Sequence, residues 1–219
     1  MSVACLILSV TTMTEATKFV PVAGRLCVLG GVVGVVSGLV TAFIDPAVSE
    51  HWWRYPYTPA GFYLSQAAFL LNHVLLLAGV LGLAASGAVG PGRAGRLGVR
   101  LSVAGLVLLT ACEAVATTLV DSRIPSRATD LLGAAFGVAS ILIGVGLITA
   151  GLAVVRAGRW PGWQRFTPLA CGAAVFVIVL PGLFGSFLAG RLVITTWMVL
   201  FTALGLALLR PTLKGRYVS

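Results

Sequence analysis

His73 and Glu113 stand inside long apolar runs of a 219-residue chain. An ionisable group in such a run is costly unless paired, and it marks a candidate for proton, cation or ligand chemistry. Asn72 adjoins the histidine, Thr110 and Thr117 accompany the glutamate, and Gln66 lies two helical turns before His73. A carboxylate and an imidazole at these positions have two uses. They can fix the register of two helices through a satisfied polar contact, or they can form a proton or cation site. Both readings stand on the sequence.

Their depths bear on whether they meet. The second apolar run begins near residue 62 and the third ends near residue 120. At 1.5 Å per residue, Gln66, Glu113 and His73 lie ~6, ~10 and ~16 Å below the same boundary. The helices are antiparallel neighbours, so a His73–Glu113 pair is within reach, and Gln66 matches Glu113 in depth as a further hydrogen-bond partner.

The elements that hold these residues follow from composition. Hydrophobic residues make up 58% of the chain and charged ones 10%, with a mean hydropathy of +1.04. Soluble domains carry about 25% charged residues, so this chain lacks the polar surface of a water-soluble fold. Six apolar blocks, over residues 26–44, 62–85, 99–120, 131–155, 168–189 and 192–209, have the length that a hydrocarbon core demands of a helix. Lipid offers no partner to unpaired backbone groups, and the period-2 pattern of a membrane β-barrel is absent. The expected fold is all-α, a bundle of six transmembrane helices over 26–209. A leading segment 1–25 precedes it and a tail 210–219 follows. Within the leader, residues 1–12 read as a mis-assigned start or a loosely attached stretch, because Met13 opens a more ordinary cytoplasmic sequence. The last two blocks, parted by little more than Gly190 and Arg191, read as a tight helical hairpin or as one partly re-entrant unit, with the hairpin favoured.

Charge orients the bundle. With six crossings, both termini share a face with the second-to-third and fourth-to-fifth loops. That face carries Lys18, Arg25, Arg93, Arg96, Arg100, Arg156, Arg159, Arg165, Arg210, Lys214 and Arg216 against the single acid Glu15. The other face carries Arg54, Arg123, Arg127 and Arg191, balanced by Asp45, Glu50, Asp121 and Asp130. Cytoplasmic loops are the lysine- and arginine-rich ones, so both termini are expected inside. The cations are scattered and form no continuous basic face, which excludes nucleic acid as a partner.

The outer first loop is rich in aromatic residues: Trp52, Trp53, Tyr55 and Tyr57 precede the second block, and Pro46, Pro56 and Pro59 rule out a continuous helix there. Such rings either anchor a loop at the headgroup level or roof an outward-facing pocket. Gly30, Gly34 and Gly38 in the first block, and Gly133 and Gly137 in the fourth, are spaced for close helix packing, within the bundle or toward a second copy or membrane partner. Pro181 should kink the fifth block. The four cysteines show no CxxC pair or metal-ligand spacing and read as packing residues. No metal or cofactor is expected. The chain lacks G-x-x-x-x-G-K-[ST], H-E-x-x-H and G-x-S-x-G, which disfavours a familiar enzyme.

The segment SEHWWRYPYTPAGFYLSQAAFLLNHVLLLAGVLGLAASGA, with its W-x-Y-P loop and N-H-x-L-L-L core, resembles a group of uncharacterised multi-pass membrane proteins of actinobacteria. The resemblance spans roughly residues 26–155. It implies a bacterial plasma (inner) membrane setting and no activity. The reading favoured at this point is a non-catalytic membrane component whose surroundings are the lipid bilayer. The alternatives are a small proton- or cation-coupled transporter centred on Glu113 and His73, and a membrane-embedded lipid-binding protein or enzyme using the outer aromatic loop.

Overall fold

The computed structural model describes residues 3–210, with side chains from Lys18 onward. The readings made of a displaced start, of Glu15 and of the tail cations Lys214 and Arg216 lie outside these described parts. Among the described residues, six helices are long and apolar enough to cross a membrane. Large apolar side chains such as Val36, Leu64, Val107, Val138, Val177 and Val199 are exposed on the bundle's outside, the surface that lipid covers. The chain is a multi-pass, all-α membrane protein.

The long helices are α1 (Val3–Phe43), α2 (Pro59–Ala85), α3 (Arg93–Ala116) and α4 (Arg127–Ala157). The fifth crossing is composite: a 3-10 turn at Gly162–Phe166, then α5 (Thr167–Ala174), a π turn (Val175–Val179) and α6 (Leu180–Leu183). The sixth is α7 (Phe187–Leu209). The first spanning stretch is Lys18–Phe43, longer than the block beginning at 26. Local chemistry sets several starts. The Thr58 side chain accepts from Gly61 N at 3.2 Å and Pro59 occupies the first turn of α2, where its missing N–H costs nothing. A reciprocal Ser126/Thr129 capping box opens α4, and Gly158, at φ +63°, closes it.

The expected hairpin between crossings five and six is present, but its turn lies at residues 184–186 rather than at Gly190 and Arg191. Ser186 caps α7 by accepting from Ala189 N at 3.2 Å. Gly190 and Arg191 therefore fall within α7.

The helices form a ring in sequence order, each packed on its chain neighbours, and α1 closes the ring against α7. Glycines make the seams. A Cβ on Gly30 would lie 2.8 Å from Leu75 Cβ of α2, and one on Gly34 or Gly38 would strike Met198 or Thr195 of α7. Gly98 and Gly105 of α3 face α4 backbone in the same way. The small-residue spacing of the first crossing thus marks contacts inside the bundle. Gly133 and Gly137 behave differently: a Cβ on either meets nothing within 4 Å. They share the spacing of packing glycines, but no helix lies against their face.

The reason is the path of the fifth crossing. Near the arginine-rich face it packs closely on α4, with Gly172 against Ile148 and Gly144 against Val175 and Phe176. Pro181 cannot donate a helical hydrogen bond and its ring crowds the preceding turn. The chain accommodates this by widening into the π turn, where Leu180 N reaches back to Val175 O. Beyond that turn α6 leans on α7, Gly182 meeting Val193, and scarcely touches α4. The α4–α6 seam is left open.

Candidate functional site

The divergence of α4 and α6 helps to enclose a cavity of about 600 Å³ walled by all six crossings. Its polar centre is Glu113. Gln66 Nε2 donates to Glu113 Oε2 at 2.8 Å and to the Glu113 backbone oxygen at 3.2 Å. The other carboxylate oxygen, Oε1, stands 3.8 Å from His73 Nδ1. That is too long for a hydrogen bond, and the buried Nδ1 has no partner. The side chains of His73 and Glu113 are 8% and 12% exposed, so neither has water in bulk to satisfy it. Asn72, wholly buried, donates to Gly30 O at 2.6 Å and approaches Met198 Sδ at 3.5 Å, tying α2 to α1 and α7.

Asn72, Gln66, His73 and Glu113 all line the cavity. Thr110 and Thr117 do not. Each hydroxyl donates to a carbonyl of its own helix, Leu106 O at 2.8 Å and Ala114 O at 2.6 Å. Short hydroxyls on a helix readily find such partners, so adjacency to Glu113 in sequence did not bring them to the site.

Arg191 is the residue that the sequence reading placed elsewhere. Counted there as a loop cation, it instead lines the cavity from α7, half-buried, with its guanidinium 4.9 Å from the Phe187 ring. Glu113 and Tyr57 line the same cavity. Phe136 and Ser140 of α4 and Trp197 of α7 complete much of the wall. Trp197 is fixed by donating to Cys171 O at 2.9 Å. The Ser-x-x-Ala start at Ser186, directly after a glycine, was the signal that would have moved Arg191 into a helix.

The aromatic loop roofs this space. Trp52, Trp53, Tyr55 and Tyr57 line the cavity and are half-buried rather than turned out to the surroundings. Two loops zip together to hold them. Trp53 N donates to Ser122 O at 2.9 Å and Ile124 N to His51 O at 2.8 Å, around an isolated bridge between Trp52 and Arg123. The Trp52 ring is stacked by Arg54 at 4.8 Å and Arg123 at 5.0 Å, a cation–π arrangement. Arg54 is ion-paired to Asp121. Tyr57 Oη and Thr41 Oγ1 share a hydrogen bond of 2.6 Å, and Tyr55 packs edge-on against Phe187.

No protein-family model, curated protein or solved structure matches the chain. The site must be read from its own chemistry.

Toward the arginine-rich face the cavity is blind. Leu76, Leu106, Ile143, Leu147 and Phe201, each at 0% exposure, fill the bundle below it. Cys27, Cys112 and Cys171 are free and buried as packing groups, with Cys27 Sγ donating to Phe201 O at 3.3 Å. Among the described residues no three His, Cys, Asp or Glu gather where they could hold a metal ion. The arrangement is a roofed, mostly apolar chamber with the Glu113 carboxylate at its centre, Glu50 as a second acid on the lining, one unpartnered imidazole nitrogen and the Arg191 guanidinium. It can bind and orient a molecule that is apolar over most of its surface and polar at one end.

Proposed function

We propose that this protein is a non-catalytic membrane component that holds an amphipathic molecule within the bilayer, its polar end at Glu113 and His73. The observation that carries this reading is the unsatisfied Nδ1 of His73 beside a carboxylate oxygen in an apolar cavity. A buried polar atom without a partner is destabilising by about 1–3 kcal/mol, a cost that a bound polar group removes. The arginine excess supports a setting with both termini in the cytoplasm, which puts the aromatic roof outside and the cavity in the outer half of the membrane. The segment around Trp53–Pro56 and Asn72–Leu77 supports a bacterial inner membrane.

The closed lower half of the bundle favours holding over carrying. A proton- or cation-coupled transporter needs a second route to the arginine-rich face, and five fully buried apolar side chains occupy that space.

The test is lipid extraction and mass spectrometry of protein purified from its own membranes in mild detergent. Wild type is expected to retain one amphipathic compound at near-equal molar ratio. Glu113→Gln keeps the size and the Gln66 contact but loses the charge, and it should retain about tenfold less, the effect of one charge-assisted hydrogen bond. Equal retention by the two proteins would remove Glu113 from the site. An empty wild type would sink the reading.

A further inference from the structure

The open seam and the polar centre together identify the kind of molecule. Gly133 and Gly137 project no side chain, and nothing beyond their own stretch of helix lies within 4 Å of where a Cβ would be on either. Both line the cavity, as do Leu183 and Phe184 across the seam. Phe184 is 91% exposed and Leu183 49%. The slot therefore runs from the cavity to the bundle's lipid-facing surface. Its depth matches that of the polar centre. Gly133 and Gly137 lie ~9 and ~15 Å along α4 from Arg127, and Glu113 lies ~9 Å from the end of the third crossing at Leu119.

The polar centre is specific in its own way. Glu113 Oε1 and His73 Nδ1 are 3.8 Å apart, a gap that a single small atom spans with about 2.8 Å to each. A hydroxyl fits, because it donates to the carboxylate and accepts from the ring N–H in the tautomer that carries the proton on Nδ1. An ammonium would meet the positive charge of Arg191 on the same cavity wall. A carboxylate would meet Glu113 itself and the second acid of the lining, Glu50.

We infer that the ligand is a long-chain alcohol that reaches the cavity sideways from the bilayer, its chain lying in the Gly133–Gly137 slot and its hydroxyl bridging Glu113 and His73. This rests on the proposed holding function and specifies its substrate class and route. Cation–π stacking and loop pairing keep the roof shut above, so the seam is the path that needs no unfolding of the lid.

The experiment uses the full chain in phosphatidylcholine vesicles and three probes of one chain type: dibrominated stearyl alcohol, the corresponding amine and the corresponding acid. Bromine quenches nearby tryptophan, and Trp52, Trp53 and Trp197 line the cavity. The alcohol should give saturable quenching, half-complete at about one tenth of the concentration that the amine or acid requires, the discrimination of one hydrogen bond. Gly133→Leu/Gly137→Leu should abolish the saturable part while circular dichroism and elution volume stay unchanged. Gly137→Val alone should weaken it severalfold. Retained saturable quenching in the double variant would overturn the slot. Amine or acid binding as tightly as alcohol would overturn the head-group assignment. Misfolding of both glycine variants would show that the face is packed, and would overturn the slot as well. If no probe saturates while Glu113→Gln still empties the native compound, the alcohol inference fails and the holding function stands. If neither effect is seen, both fail.

Discussion

Gly98→Leu should yield almost no folded protein. A Cβ at residue 98 would sit 2.5 Å from Ala150 N, 2.7 Å from Gly146 O and 3.0 Å from Ala150 Cα. All three atoms are backbone of α4, so no side chain can swing aside to make room. Overpacking a core by a few methylenes costs about 1–3 kcal/mol where side chains can adjust. Here the helices themselves must part, and the seam continues through Gly105 against Ala139 and Ile143, and through Gly146 against Ser102. Loss of that seam removes close van der Waals packing, the main attraction between helices in lipid. The measurement is size-exclusion chromatography of detergent extracts followed by thermal unfolding, with Gly133→Leu as the matched control. We expect a monodisperse, wild-type-like control and an aggregated or absent Gly98→Leu. Similar melting of the two proteins would contradict the difference in packing between these glycines.

Trp52→Ala should open the roof without unfolding the bundle. The indole is the shared surface for Arg54 and Arg123, and each such contact is worth about 0.5–1 kcal/mol at a partly exposed site. Loss of both makes opening of the paired loops about 5–30 times more frequent. The amides of Trp53 and Ile124 report this directly, since they donate across the loop pair to Ser122 and His51. Hydrogen exchange in the peptides covering 47–58 and 119–126 should accelerate by that factor, while peptides of α3 and α4 keep wild-type protection. Unchanged loop exchange would mean that the hydrogen bonds and the Arg54–Asp121 pair hold the roof by themselves.

Much of this architecture is legible in the sequence because lipid imposes a strict rule: about twenty apolar residues and a satisfied backbone for each crossing. The meeting of Glu113 with Gln66 was legible too, because antiparallel neighbours joined by a short loop share a depth scale. Three things were not. The turn before α7, at 184–186, is followed by an apolar run, Phe187-Leu188-Ala189, and hydropathy alone carries the fifth block past it, leaving Arg191 in a loop. The glycines of α4 have the same spacing as those of α1, and spacing says nothing about whether a partner arrives. That was decided by Pro181 and the π turn on another helix. The threonines near Glu113 were grouped with it by proximity along the chain, but a hydroxyl on a helix bonds to its own preceding turn before it seeks a distant site.

The sequential ring has a consequence for biogenesis. Every helix but the first and last meets in space the helices made just before and just after it, so a chain leaving the ribosome can build its wall in order of synthesis. Low sequence separation between partners is the condition for fast, unambiguous assembly. The final seam is the exception, since α1 must wait until α7 has been made. Until then Gly31, Gly34 and Gly38, which the last helix covers, face bare lipid, and the chamber lacks Arg191, Trp197 and Met198. A nascent chain halted before Phe187 would lack one wall of that chamber. On the proposed holding function, the chamber would be complete only once α7 joins it.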